Sequence, residues 1–234
     1  MSYREHAPPP ALAPWLACTW ERRSSGTRPV RVLPDGCVDV VWIAGAGTQI
    51  VGANTTAFLV ALPGGTRVVG ARLLPGAAPA LLGIAGEAVR DVRAPIEDVW
   101  GEDGRRLAAV LNQRPEPLEG LRAALLNRGM HAARPDPLVR ETVLRLASPD
   151  ATVAGVADQL GLSERQLRRS VVAAVGYGPK RLARVLRLWR ALDAARAGAE
   201  LARAALEAGY SDQAHFANDC RSLAGVSASI VLAE

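Results

Sequence analysis

The stretch VAGVADQLGLSERQLRRSVVAAVGYGPK (residues 153–180) decides how the C-terminal half of this chain is read. Val153, Val156 and Ala157 stand at helical spacing ahead of Gly161, which accepts the left-handed conformation in which helices often end. Leu162 plugs the turn, and Ser163 offers a side-chain oxygen to the free N–H groups of the next helix. Gln166 completes the Ser-x-x-Gln form of a capping box. In that second helix Leu167, Val171 and Ala174 recur at i, i+4 and i+7 and point inward, while Arg165, Arg168, Arg169 and Val172 line the outer side. The pattern is helix, tight turn, helix.

It occurs twice. In LARAALEAGYSDQAHFANDCRSLAGVSA (residues 201–228), Leu201-Ala202 answers Val153-Ala154, and Gly209-Tyr210-Ser211 answers Gly161-Leu162-Ser163. One inserted residue then shifts the register, so Phe216 answers Leu167, Cys220 answers Val171, Gly225 answers Gly176 and Ala228 answers Pro179. The second copy should bury Phe216, Cys220 and Leu223, present Ala214, Ala217, Asn218 and Arg221, and use Ser211 as its N-cap. Between the copies, Pro179 to Ala197 reads as one long helix with Pro179 in its first turn. Leu182, Val185, Leu186, Trp189 and Leu192 form its apolar stripe, and Lys180, Arg181, Arg184 and Arg187 make it basic. At about 1.5 Å per residue it spans roughly 25 Å, a strut suited to two helices in major grooves about 34 Å apart.

Charge supports this reading. The 234 residues carry a formal net charge of +5. Residues 1–137 are net +2 and residues 138–150 are neutral, whereas residues 151–198 are net +6 and residues 199–234 net −3. A basic block on folded helices is the electrostatic footprint of a nucleic-acid binder. Only Lys180 among the 28 basic residues is lysine, a bias of composition rather than a sign of function. The chain has no apolar run of the roughly 18 residues a membrane helix needs, and its start has no signal-like apolar segment, so a cytoplasmic, nucleoid-associated location is expected. Cys18, Cys37 and Cys220 lack metal-ligand spacing and read as reduced, buried thiols; no metal or cofactor is expected.

The first hundred residues hold four of the five tryptophans (Trp15, Trp20, Trp42, Trp100) and many Gly and Pro punctuators. Val30 to Leu33, Pro34-Asp35-Gly36 and Cys37 to Ile43 read as strand, tight turn, strand, with another strand in Thr66 to Leu74. From about Pro95 the pattern is helical, and Arg114-Pro115-Glu116-Pro117 splits residues 105–128 into two helices. His131 to Pro137, with its X-Pro pairs, reads as a linker.

These residues resemble the AraC/XylS family of bacterial transcription regulators. The resemblance rests on Leu162-Ser163-x-Arg165-x-Leu167-x-Arg169, Gly176-Tyr177-Gly178-Pro179, Ala208-Gly209-Tyr210-Ser211-Asp212-Gln213-x-His215-Phe216 and Gly225-Val226-Ser227. It implies a double helix-turn-helix DNA-binding domain with base contacts from the positions of Arg165, Arg169, Ala214 and Asn218. Val171 and Cys220 stand where that family usually has an aromatic residue, Asn218 where arginine is common and Ala228 where proline is usual. Pro8-Pro9-Pro10-Ala11-Leu12, Leu33 to Asp39, Gly70-Ala71-Arg72 and Pro75 to Pro79 resemble an uncharacterised domain fused to this reader in many actinobacterial proteins, which implies a sensing or dimerising role.

The expected architecture is α+β. A β-rich domain with flanking helices (1–130) and a linker (131–137) precede an all-α domain of two helix-turn-helix units joined by a long helix (138–234). Base readout is expected from Arg165, Arg169, Gln213, Ala214 and Asn218, and DNA-backbone contact from Ser163, Arg168, Lys180, Arg181, Arg184 and Ser211. The partner is double-stranded DNA; a small-molecule effector at the N-terminal domain, RNA polymerase and a second copy are candidate further partners, and no membrane is expected.

The rival reading is a cysteine-dependent sensor or enzyme, alkyl-accepting or redox, acting through Cys37 with DNA binding auxiliary. No Lys or His lies near Cys37 in sequence to lower its pKa, so a structural thiol is the simpler reading. A third reading has the helices bind protein. Gly45-Ala46-Gly47 lacks the third glycine of a dinucleotide loop, since Ile50 stands there. Asp35 and Asp39 read as turn and hydrogen-bonding residues, and Arg67 and Arg72 as exposed arginines rather than an anion clamp.

Overall fold

The strands lie within the first 95 residues, and beyond them the described chain is helical. The computed structural model describes residues 2–26 and 28–234; Met1 and Thr27 lie outside the described residues. The strands are β1 (Ser2–His6), β2 (Leu16–Arg23), β3 (Val30–Val32), β4 (Val38–Ile43), β5 (Gly47–Val51), β6 (Phe58–Val60), β7 (Arg67–Leu73) and β8 (Arg93–Pro95). Six of them form an antiparallel sheet in the order β1-β2-β7-β4-β5-β8, and β3 pairs separately with β6.

The strand–turn–strand reading of residues 30–43 therefore needs correction. Both strands form, and Gly36 turns the chain with φ +83°, but β3 and β4 belong to different sheets. The turn is locked locally by Asp35, whose Oδ1 accepts from the Cys37 N–H at 2.9 Å. It is also drawn away from the sheet, because the Pro34 carbonyl accepts from Trp189 Nε1 at 2.8 Å.

One sheet face is apolar because β4 and β7 alternate in register. Val38, Val40 and Trp42 stand opposite Leu73, Ala71 and Val69, and all six are buried. Helices α3 (Glu102–Gln113) and α4 (Pro117–Gly129) cover this face through Leu111, Leu118, Leu121 and Leu125. The other face carries the Trp20 ring across Gly70, where a β-carbon would come within 2.3 Å of the indole. Trp20 donates to Asp39 at 2.8 Å. Beside them Arg72 is half-buried, not exposed as read from sequence, and lies 3.3 Å from Asp35 and 3.5 Å from Asp39. Burial pushes the Asp39 carboxyl up to about 6, against the pull of Arg72.

The remaining helices are α1 (Ala78–Leu82), α2 (Ile96–Trp100), α5 (Pro137–Leu146), α6 (Val153–Gln159), α7 (Glu164–Val175), α8 (Pro179–Arg196), α9 (Leu201–Glu207), α10 (Gln213–Ala224) and α11 (Ala228–Ala233). The α6–α7 and α9–α10 pairs are the two repeats, each turning at a glycine with positive φ, Gly161 at 66° and Gly209 at 88°. Residues 132–136 are coil, as their X-Pro pairs predict.

Packing does not divide at that coil. One hydrophobic core runs from Leu12 through the sheet into Val156, Leu167, Val171 and Val175, ending at Leu182. A second, from Val185 to Val231, holds the second repeat together. The boundary between cores thus falls inside α8. Pro179, Leu182, Val185, Leu188, Ala191 and Leu192 are its buried residues, while Leu186 and Trp189 are only half-buried, because α8 is packed from several sides.

The two halves meet closely at Gly86. A β-carbon there would meet the Ala174 carbonyl oxygen at 2.3 Å. Gly86→Val should therefore cost roughly 1–3 kcal/mol through overpacking. A urea unfolding midpoint unchanged from wild type would contradict this close apposition.

Candidate nucleic-acid interface

The first repeat builds an exposed cationic helix from local rules. Ser163 caps α7 by accepting from the Gln166 N–H, and Gln166 Oε1 returns by accepting from the Ser163 N–H at 3.0 Å. Leu167, Val171, Ala174 and Val175 are buried. Arg165, Arg168 and Arg169 are exposed, and neither Arg165 nor Arg169 has a carboxylate partner among the described residues. Arg168 folds back toward Gly178, where a β-carbon would come within 2.9 Å of its guanidinium, and Lys180 at the start of α8 is exposed.

The second repeat differs at its cap. Asp212, not Ser211, caps α10: its Oδ1 accepts from the His215 N–H at 2.7 Å. The inserted residue puts Asp212 three positions ahead of His215, and Ser211 Oγ instead donates to Asp212 Oδ2. These hydrogen bonds hold the Asp212 carboxyl below the usual carboxylate range. Phe216, Cys220 and Leu223 are buried as expected. Gln213, Ala214 and Asn218 are exposed, and Asn218 Oδ1 accepts from Arg221 at 2.5 Å.

Two arginines expected to face phosphate are committed inside the chain. Arg181 donates to the Thr55 carbonyl at 2.7 Å. Arg184 donates through Nε and Nη2 to Asp219 Oδ1, at 3.0 and 2.7 Å, because the Asp219 carboxylate is buried and requires a counter-charge.

Sequence reasoning missed the residues that hold the recognition helices in place. The carbonyl of Gly176, which ends α7, accepts from Arg90 at 3.2 Å. The carbonyls of Leu223 and Ala224, which end α10, accept from the Ala57 N–H at 2.7 Å and from Arg31 at 3.0 Å. Arg190 on α8 donates to Ala147 at 2.5 Å and Ala208 at 2.9 Å, closing α5 and α9 together. Arg31 sits in a short strand and Arg90 in a loop, and neither belongs to a motif that could have signalled this.

Cys37 is buried, and burial, with Asp35 and Asp39 adding, raises its thiol well above the ordinary value. A thiol so placed is a poor nucleophile.

Residues 4–95 match the model of a family described as a domain of unknown function, and residues 156–233 match that of a helix-turn-helix domain. Among solved structures, ToxT from Vibrio cholerae is 13% identical, with 99% of this chain and 98% of that one covered at a TM-score of 0.50. An apo form of a ToxT variant from Vibrio cholerae is 10% identical, with 92% and 96% covered at a TM-score of 0.51. The C-terminal domain of AraT, a response regulator from Geobacillus stearothermophilus, is 22% identical, with 42% of this chain and 85% of that one covered at a TM-score of 0.39. No curated protein matches the chain. At these identities the likeness to ToxT is one of fold.

Removing the partner of Asp219 tests the internal role of Arg184. Arg184→Ala should lower stability by about 1–3 kcal/mol, less than for a fully buried pair because Arg184 keeps part of its hydration. Lys180→Ala should leave stability within about 0.5 kcal/mol. Equal chemical-denaturation midpoints for the two variants would contradict the assignment.

Proposed function

We propose, from the premise that the C-terminal domain of this chain belongs to the AraC-type helix-turn-helix family and follows a domain of unknown function, that the protein reads a specific DNA sequence to regulate transcription. The first helix-turn-helix unit supplies most of the affinity. The observation that carries this reading is the pair Arg165 and Arg169, exposed and without a carboxylate partner among the described residues, on a helix whose packing does not use them. A guanidinium with free donors can take guanine O6 and N7 bidentately.

In this reading Arg165 and Arg169 contact base edges, and Gln213, Ala214 and Asn218 do so more weakly from α10, where asparagine can pair with adenine. Ser163, Arg168, Lys180 and Ser211 lie against phosphates. Arg181 and Arg184 act indirectly, by holding α8 to the N-terminal half and to α10. Residues 138–234 form the reader, residues 131–137 connect, and residues 1–130 sense a ligand or mediate assembly, with RNA polymerase as the downstream target. Two linked readers in one chain need no palindromic site.

Selection of bound fragments from random DNA by the full chain tests the reading. On the selected site Arg169→Ala should lose about 1–3 kcal/mol and relax preference at one base pair. Lys180→Ala should weaken all sequences alike and shallow the salt dependence by about one unit. Unchanged affinity of the Arg169 variant for the selected site would contradict the assigned recognition face.

A further inference from the structure

We propose that the groove bounded by α1, α3, α4 and residues 131–133 is the effector site of the N-terminal domain, and that it takes a small organic anion with an apolar body. This rests on the regulatory reading above for its consequence, though not for its geometry. The groove encloses about 660 Å³, within the range of small-molecule sites. Its floor is apolar, with Leu81, Leu107 and Ala124.

The cations around it are unequally engaged. Arg106 is paired with Asp103. Arg128 lies 4.3 Å over the Trp100 ring and donates through Nε and Nη2 to the Leu81 and Leu82 carbonyls, which commits two of its donors to the end of α1. Arg114, exposed at the rim, has no carboxylate partner among the described residues. Three guanidinium groups therefore face one carboxylate across an apolar floor. That charge balance fits a single anionic group seated at Arg114, with its apolar body against Leu107 and Trp100.

The position of the groove supplies a route to the DNA-reading half. One wall is the 131–133 segment, whose Ala133 carbonyl accepts from Trp15 Nε1 at 2.8 Å, with residues 134–136 between it and α5. The groove is also lined by α1, which packs on α7. A ligand drawing the two walls together changes both supports of the first helix-turn-helix unit.

The test uses the full chain and 8-anilinonaphthalene-1-sulfonate, an anion with an aromatic body, followed by fluorescence. Saturable binding at one site is expected, with the uncharged N-phenyl-1-naphthylamine at least about tenfold weaker. Arg114→Ala should weaken the sulfonate about tenfold, the effect of one lost charge-assisted contact. Ala123→Trp, at the exposed lip, should abolish binding while leaving the thermal transition in place. Saturating probe should shift affinity for the selected DNA at least about threefold in wild type and not in the Ala123 variant. Probe binding untouched by both substitutions would overturn the proposal, as would a dimer that Ala123→Trp dissolves. Failure to select any DNA would instead overturn the regulatory reading, while the fluorescence arm still decides the groove.

Discussion

Guanidinium groups bound to the carbonyls that end helices are the interaction on which the rest of this structure depends. A helix leaves its last carbonyls without partners and carries the negative end of its dipole there, so a buried end is costly unless a donor meets it. Arg128 meets α1, Arg190 meets α5 and α9 at once, Arg90 meets α7 and Arg31 meets α10. Arginine suits the task because its planar fork can span two acceptors, as Arg190 does. The donors for α7 and α10 both come from the N-terminal half. The two recognition helices are therefore gripped by one body, at the ends remote from their capping residues.

This grip explains why the core ignores the coil at residues 132–136. The first repeat shares its core with the sheet domain, and the second keeps its own core but is tied back through Arg31, Ala57 and Trp189. Inside the second repeat the buried Asp219 pairs with Arg184, fastening α10 to the long helix. A perturbation of the N-terminal half thus reaches both reading helices through named contacts.

Much of this was legible from sequence where the governing forces are local. Gly161, Ser163 and Gln166 announce the first turn and its capping box, and Pro179 announces the start of α8. Arg165 and Arg169 are legible because inward and outward residues separate cleanly on a helix. What was not legible depends on tertiary partners. Nothing near Pro34 says that its carbonyl will meet Trp189, so residues 30–43 read as strand, tight turn, strand, with no sign that β3 and β4 part into different sheets. The cap of α10 moved to Asp212 because one inserted residue outweighs the analogy with Ser163. Arg181 and Arg184 read as phosphate ligands because their acceptors, Thr55 and Asp219, lie far off in sequence.

The central claim is that α7 and α10, held at one angle by the N-terminal half, occupy neighbouring major grooves on one side of a duplex. Hydroxyl-radical footprinting of the full chain on its DNA site tests this most directly. The account predicts two protected patches one helical turn apart on the same face, stronger on the α7 side. A single protected patch, or two on opposite faces of the duplex, would contradict it.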